Sequence, residues 1–233
     1  STSQRDTEAA EKYREALRYD PEFGRSYSGL GASLFRMGNR EEAEKNWNEA
    51  LRRTDRMTER EKLRTFGGYY IAIARNPDKA IDTYEQLVAK YPADSAGYNN
   101  LAIAYFSTLN FAKAFEYGRK AIEIYPKTYK YRSNYALYAM YAGDFKTVAE
   151  TAQPLIKEDP KVDVPYLPLA MEALAAGDIP RARGIYQQVT QAGDSGVSLS
   201  ALGIADIAMY EGRYDEALSI LPAAAKRDQD QRN

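Results

Sequence analysis

The chain has 233 residues, 44% hydrophobic and 28% charged, a balance that buries a core and is not that of a disordered segment. Its 32 Lys and Arg stand against 33 Asp and Glu with no basic excess in either half, so neither nucleic acid nor an anionic lipid surface is an expected partner. Neither Cys nor His occurs, which excludes disulfides, thiolate and imidazole metal ligands, cysteine nucleophiles and Ser-His-Asp triads.

The first predicted element is a helix over 4–20, carrying Ala9, Tyr13 and Ala16 and stopped at Pro21. It begins in mid-pattern without an initiator Met, which suggests a cut from a longer chain or a removed leader. From Gly24 a helix with Leu30 and Gly31 runs to a turn at Gly38, and a second follows with Ala43, Trp47 and Ala50. The stretch "RMTERE" then adds three residues, and Thr58 and Glu61 have the spacing of a capping box that restarts a helix. Helix pairs recur from Glu61 (Gly68, Ala80, Tyr84, Pro92), Ser95 (Tyr98, Leu101, Ala102, Tyr105, Ala114, Ala121, Pro126) and Tyr129 (Ala136, Gly143, Pro160). Two more start at Asp163 (Tyr166, Leu169, Ala170, Gly177, Ala182, Tyr186) and near Ser198 (Ala205, Gly212, Ala217). Pro92, Pro126 and Pro160 are spaced by 34 residues. Gly38, Gly143, Gly177 and Gly212 each fall just past an apolar helical pattern, where a left-handed residue ends a helix without a Cβ clash.

This period and these residue types resemble the tetratricopeptide repeat. The resemblance implies an all-α, right-handed superhelical solenoid of antiparallel helix pairs. It divides a single 1–233 domain into the lone helix 4–20 and six repeats at about 24–57, 61–94, 95–128, 129–162, 163–196 and 198–229. Small residues at Gly31, Gly68, Ala102, Ala136 and Ala170 let paired helices approach, and Trp47, Tyr84 and Tyr186 fill the space to the next pair. More distantly, "MTEREKLRTFGGYY" and "SLSALGIADIAMYEGRYDEAL" resemble the repeat arrays that follow the kinase domain in some bacterial serine/threonine kinases, implying a docking or sensing arm.

Chemistry-bearing motifs are scarce. "SGLGASLF" has two glycines but no G-x-G-x-x-G, and no Gly-Lys-Ser or Gly-Lys-Thr exists to cradle a phosphate, so no cofactor is expected. The arginines of "LRRTDRMTEREKLR" would line one face of a continuous helix, but Thr58 breaks that helix and Asp55, Glu59 and Glu61 dilute the charge. "REEAEKNWNEA" reads as a solvated face of i, i+4 pairs. No residue is expected to be catalytic, and no metal site is expected. The longest nearly apolar run, "YALYAMYAG", is far short of the ~18 residues of a membrane span. A cysteine-free chain suits an oxidising or a reducing compartment, so cytoplasm and periplasm stay open.

In the resembled family, positions 2, 5, 9 and 12 or 13 of each first helix line a concave groove. Carried over, these positions give Lys62, Thr65 and Tyr69, then Asn99, Ile103 and Phe106, then Lys130, Ser133, Leu137 and Tyr141, then Leu167 and Met171. Asn100 and Asn134 lie beside them. The middle is suited to a peptide backbone or a carboxylate, and the C-terminal third, with Val164, Leu174, Leu202 and Met209, to an apolar anchor. One subclass clamps a C-terminal carboxylate; Asn100 and Lys130 fit that pattern, whereas Thr65, Tyr69 and Asn134 depart from it. The expectation is a noncatalytic scaffold that binds a protein or peptide of unknown identity. The alternative is a self-associating module, a homodimer through terminal helices that lack further partners.

Overall fold

The computed structural model describes residues 2–230, and the described residues form thirteen α-helices and two short 3-10 turns. The chain divides into two compact units, Ser1–Pro126 and Lys127–Asn233. Each unit is an array of antiparallel helix pairs.

The first unit holds α1 (Thr2–Tyr19), α2 (Gly24–Arg36), α3 (Arg40–Arg52), α4 (Glu59–Ala72), α5 (Pro77–Lys90), α6 (Ser95–Ser107) and α7 (Phe111–Ile124). The first helices α2, α4 and α6 pack successively into one layer, and each also packs on its following partner. The second unit holds α8 (Tyr129–Tyr141), α9 (Phe145–Glu158), α10 (Tyr166–Ala175), α11 (Ile179–Gln188), α12 (Asp194–Tyr210) and α13 (Tyr214–Asp230). There α8 packs on α9 and α10, α10 on α11, and α12 on α11 and α13.

Local chemistry sets these boundaries. Asn39, Asn76, Asn110, Asp144 and Asp178 stand before α3, α5, α7, α9 and α11, and each side chain accepts from the backbone N–H three residues on. Each cap contributes about 1 kcal/mol. Thr58 caps α4 through the complete reciprocal box with Glu61. The turn before each second helix needs a left-handed residue, and Gly38, Gly143, Gly177 and Gly212 supply it with φ between 75° and 83°. Arg75 (φ 48°) and Leu109 (φ 61°) take the same conformation with a Cβ in place. The turn bonds persist, the Asn110 N–H donating to the Tyr105 carbonyl five residues back at 3.0 Å.

The core is a seam of alanines filled by rings. Ala43, Ala80, Ala102, Ala114, Ala136, Ala170, Ala182 and Ala205 are wholly buried, as are Tyr84 and Tyr166, and Trp47 and Tyr186 are nearly so. Trp47 lies between Gly31 of α2 and Gly68 of α4: a Cβ on either glycine would stand 3.2 Å from its indole. Rings approach more closely still at Gly29, Gly67 and Gly203. A Cβ there would stand 2.3 Å from the Tyr13 ring, 2.5 Å from the Tyr84 ring and 2.3 Å from the Tyr186 ring.

One ionic device holds the first unit. Asp94 accepts from the Gly97 N–H (2.8 Å) as the cap of α6, and its carboxylate also takes Arg60 Nε (2.8 Å) and Arg64 Nε and Nη2 (2.8 and 2.7 Å) from α4. Its side chain is wholly buried. Burial pushes the carboxyl upward, but the Arg64 and Arg60 guanidiniums and the Gly97 N–H outweigh it and hold the acid below its ordinary range.

Candidate functional site

In the first unit, Lys62, Thr65 and Tyr69 lie on α4, and Asn99, Asn100, Ile103 and Phe106 on α6. Thr65 and Asn99 are buried. The Thr65 hydroxyl donates to Ser28 Oγ of α2 at 3.3 Å, and Ser28 also takes Arg25 Nη1 at 2.6 Å. Asn99 Nδ2 donates to Asn100 Oδ1 (3.2 Å), and Asn100 Nδ2 donates to the Tyr84 hydroxyl (3.0 Å). Burial drives the Tyr84 phenol far above its ordinary pKa. These polar groups therefore join α2 to α4, and α5 to α6. Lys62, Tyr69, Asn100, Ile103 and Phe106 are partly exposed. Tyr69 meets Tyr70 edge-on at 5.9 Å, and Phe106 tilts against Phe111 at 5.4 Å.

In the second unit, Lys130, Ser133, Asn134, Leu137 and Tyr141 lie on α8, and Leu167 and Met171 on α10. Ser133 is buried, and its hydroxyl has no hydrogen-bond partner among the described residues. Ser28, Thr65, Asn99 and Ser133 hold equivalent places on α2, α4, α6 and α8, and all four are buried. Lys130, Tyr141 and Met171 are exposed, and Asn134, Leu137 and Leu167 partly so.

A concavity with mainly apolar walls lies in the second unit. A cavity of about 420 Å³ is lined by Met171 and Leu174 of α10, Gly177 and Ile179 at the following turn, Tyr186 of α11, and Gly203, Asp206, Ile207 and Tyr210 of α12. That volume falls in the range of pockets that take ligands. Gly203 shapes its floor: without a Cβ there, the Tyr186 ring packs directly on α12. Burial, and secondarily the Asp206 charge, holds the Tyr186 phenol above its ordinary range. Of the lining residues Met171 is 37% exposed and Tyr210 80%, and on the same helix as Tyr210, outside the lining, Leu202 is 54% exposed and Met209 43%.

Sequence reasoning placed Met171 and Leu174 on this face but missed Ile179, Ile207, Tyr210 and the role of Gly203. The available signal was Gly203 itself, a helix-interior glycine in an apolar run, which marks a close approach. Among the described residues no three His, Cys, Asp or Glu side chains gather to hold a metal, and no described helix is long and apolar enough to cross a membrane.

Helix pairs joined by left-handed turns, with alanine seams and wedged rings, define a helical-repeat scaffold. The family model described as "Tetratricopeptide repeat" matches residues 4–57, 74–127 and 167–232, and the chain belongs to that family, whose members serve generally as protein-interaction scaffolds. The stretches between the matches, 58–73 and 128–166, hold α4, α8 and α9 with the loops around them. No curated protein sequence matches the chain significantly.

Solved structures show the same fold at low identity. A tetratricopeptide repeat protein from Parabacteroides merdae is 19% identical, with a TM-score of 0.63 over 95% of this chain and 86% of that one. PilW, described as a widely conserved type IV pilus biogenesis factor, is 20% identical, with a TM-score of 0.64 over 84% of this chain and 90% of its own. The Cut9–Hcn1 hetero-tetramer of the APC/C is 14% identical, with a TM-score of 0.65 over 86% of this chain and 40% of that one.

Proposed function

We propose that the chain is a noncatalytic scaffold that receives a peptide or helix of a protein partner on the first helices of its pairs, as the docking or sensing part of a larger bacterial protein. The observation that carries this reading is the open cavity of about 420 Å³ in the second unit, with Met171 and Tyr210 exposed in its lining and Leu202 and Met209 exposed on α12, the helix of Tyr210. Exposed apolar side chains clustered around a concavity mark a binding surface, since solvation alone disfavours them. A chain of similar fold occurs in the Cut9–Hcn1 hetero-tetramer, an assembly of different proteins, which supports a use in protein association here. In the first unit, Lys62, Tyr69, Asn100, Ile103 and Phe106 offer a second, more polar stretch suited to a peptide backbone.

The test is affinity capture with the parent and a Met171→Glu, Leu202→Glu double variant of equal melting temperature. A partner held by the parent and lost by the variant supports the reading; equal capture by both refutes it.

A second reading, self-association through the last helix, is favoured by Tyr214 and Leu218 on α13, which are 65% and 68% exposed. Light scattering at high concentration decides it: a dimer that Leu218→Glu dissociates supports it, and a monomer rejects it.

A further inference from the structure

The cavity's walls are apolar, yet one carboxylate stands among them. Asp206 is exposed, and neither a hydrogen bond nor an ion pair joins it to another described residue. It also sits near the C-terminal end of α12, where aligned peptide dipoles present negative charge and disfavour an acid. The last turns of α10 and α12 contain no basic residue to offset it. Arginines of α11 and of the turn after α12 are already committed: Arg181 pairs with Glu172, and Arg183 and Arg213 pair with Glu211 and Glu216. An acid that opposes its own helix dipole and lacks a cation is a local cost, and such costs concentrate at functional sites.

We infer that this cavity takes a protein segment in which a large apolar side chain is followed within a residue or two by Lys or Arg, the apolar group entering between Met171, Leu174 and Ile207 and the cation meeting Asp206. This rests on the reading of the cavity as a peptide site and adds the chemistry of its occupant. The anchor displaces water from apolar walls and from the Tyr210 ring. The cation meets the Asp206 carboxylate and the C-terminal end of α12 that carries it. An acidic segment meets the same groups with repulsion, so the site discriminates by charge as well as by shape.

The probe is a displayed library of random twelve-residue peptides, selected in parallel on the parent, on Asp206→Lys and on Met171→Glu. Asp206 is exposed and helix-compatible in all these forms, so each protein is first checked for an unchanged melt. The expected result is enrichment on the parent of Leu, Phe or Ile next to Lys or Arg, and replacement of the basic residue by Asp or Glu on Asp206→Lys. A synthetic peptide of the enriched type should bind Asp206→Asn roughly 3- to 10-fold more weakly than the parent, the scale of a partly exposed ion pair reinforced by a helix end. Enriched peptides without a charge preference, or with one that Asp206→Lys does not reverse, overturn this inference while leaving the peptide-binding reading standing. Selection of nothing on the parent, or equal selection on Met171→Glu, overturns both.

Discussion

Gly67→Ala is the substitution whose sign most directly tests the packing. A glycine inside a helix ordinarily costs ~1 kcal/mol relative to alanine, so the exchange should stabilise wherever there is room. At Gly67 there is none: the new Cβ would stand 2.5, 2.6 and 2.9 Å from three atoms of the Tyr84 ring, against an ordinary contact of 3.4 to 4 Å. Tyr84 cannot retreat easily, being wholly buried with its hydroxyl bonded to Asn100. Overpacking of this kind costs about 1 to 3 kcal/mol, and the contact here belongs at the upper end. Subtracting the helix gain leaves a destabilisation of about 2 kcal/mol. Gly184→Ala is the matched control, because nothing lies within 4 Å of its added Cβ, and it should stabilise by ~1 kcal/mol. Urea unfolding followed by circular dichroism measures both. The fluorescence of Trp47, the single tryptophan, reports the first unit alone. A Gly67→Ala variant as stable as the parent would refute the packing described between α4 and α5.

Three further outcomes are expected. Asp94→Ala should cost about 3 kcal/mol, since it leaves Arg60 and Arg64 without their buried partner and α6 without its cap, measured by Trp47-detected denaturation. Because the folded Asp94 pKa lies below its ordinary 3.8, its contribution is present above that value and lost as pH falls through the folded pKa. The parent's melt should therefore drop below about pH 4, and the Asp94→Asn melt should change less over the same window. Leu109→Gly should stabilise by about 0.5 to 1 kcal/mol, relieving a left-handed residue with a Cβ at an exposed turn, and a lower melting temperature would contradict it.

The prolines, the four turn glycines and the Thr58–Glu61 box made the helix pairs readable, because each acts through local backbone geometry that a short sequence window contains. Arg75 and Leu109 show the limit: both occupy the turn position glycine marks elsewhere, and neither advertises it. Packing partners were less legible. Gly68 read as the close-approach glycine of its helix, yet Gly67 beside it meets the tighter contact, since neighbouring helix positions differ by about 100° and face different neighbours. The same rotation turns Thr65, Asn99 and Ser133 inward among the helices. The cavity depends on residues from α10, α11 and α12, whose mutual distances no local pattern encodes.

The most direct measurement of the central claim is site-specific photocrosslinking, with the photoreactive residue at Met171 on α10 in one sample and at Lys146 on α9 in another. Both side chains are exposed, so each is equally able to capture a neighbour. Binding on the first helices predicts a partner crosslinked through Met171 and absent from the Lys146 sample. A partner captured through Lys146 and not through Met171 would contradict it.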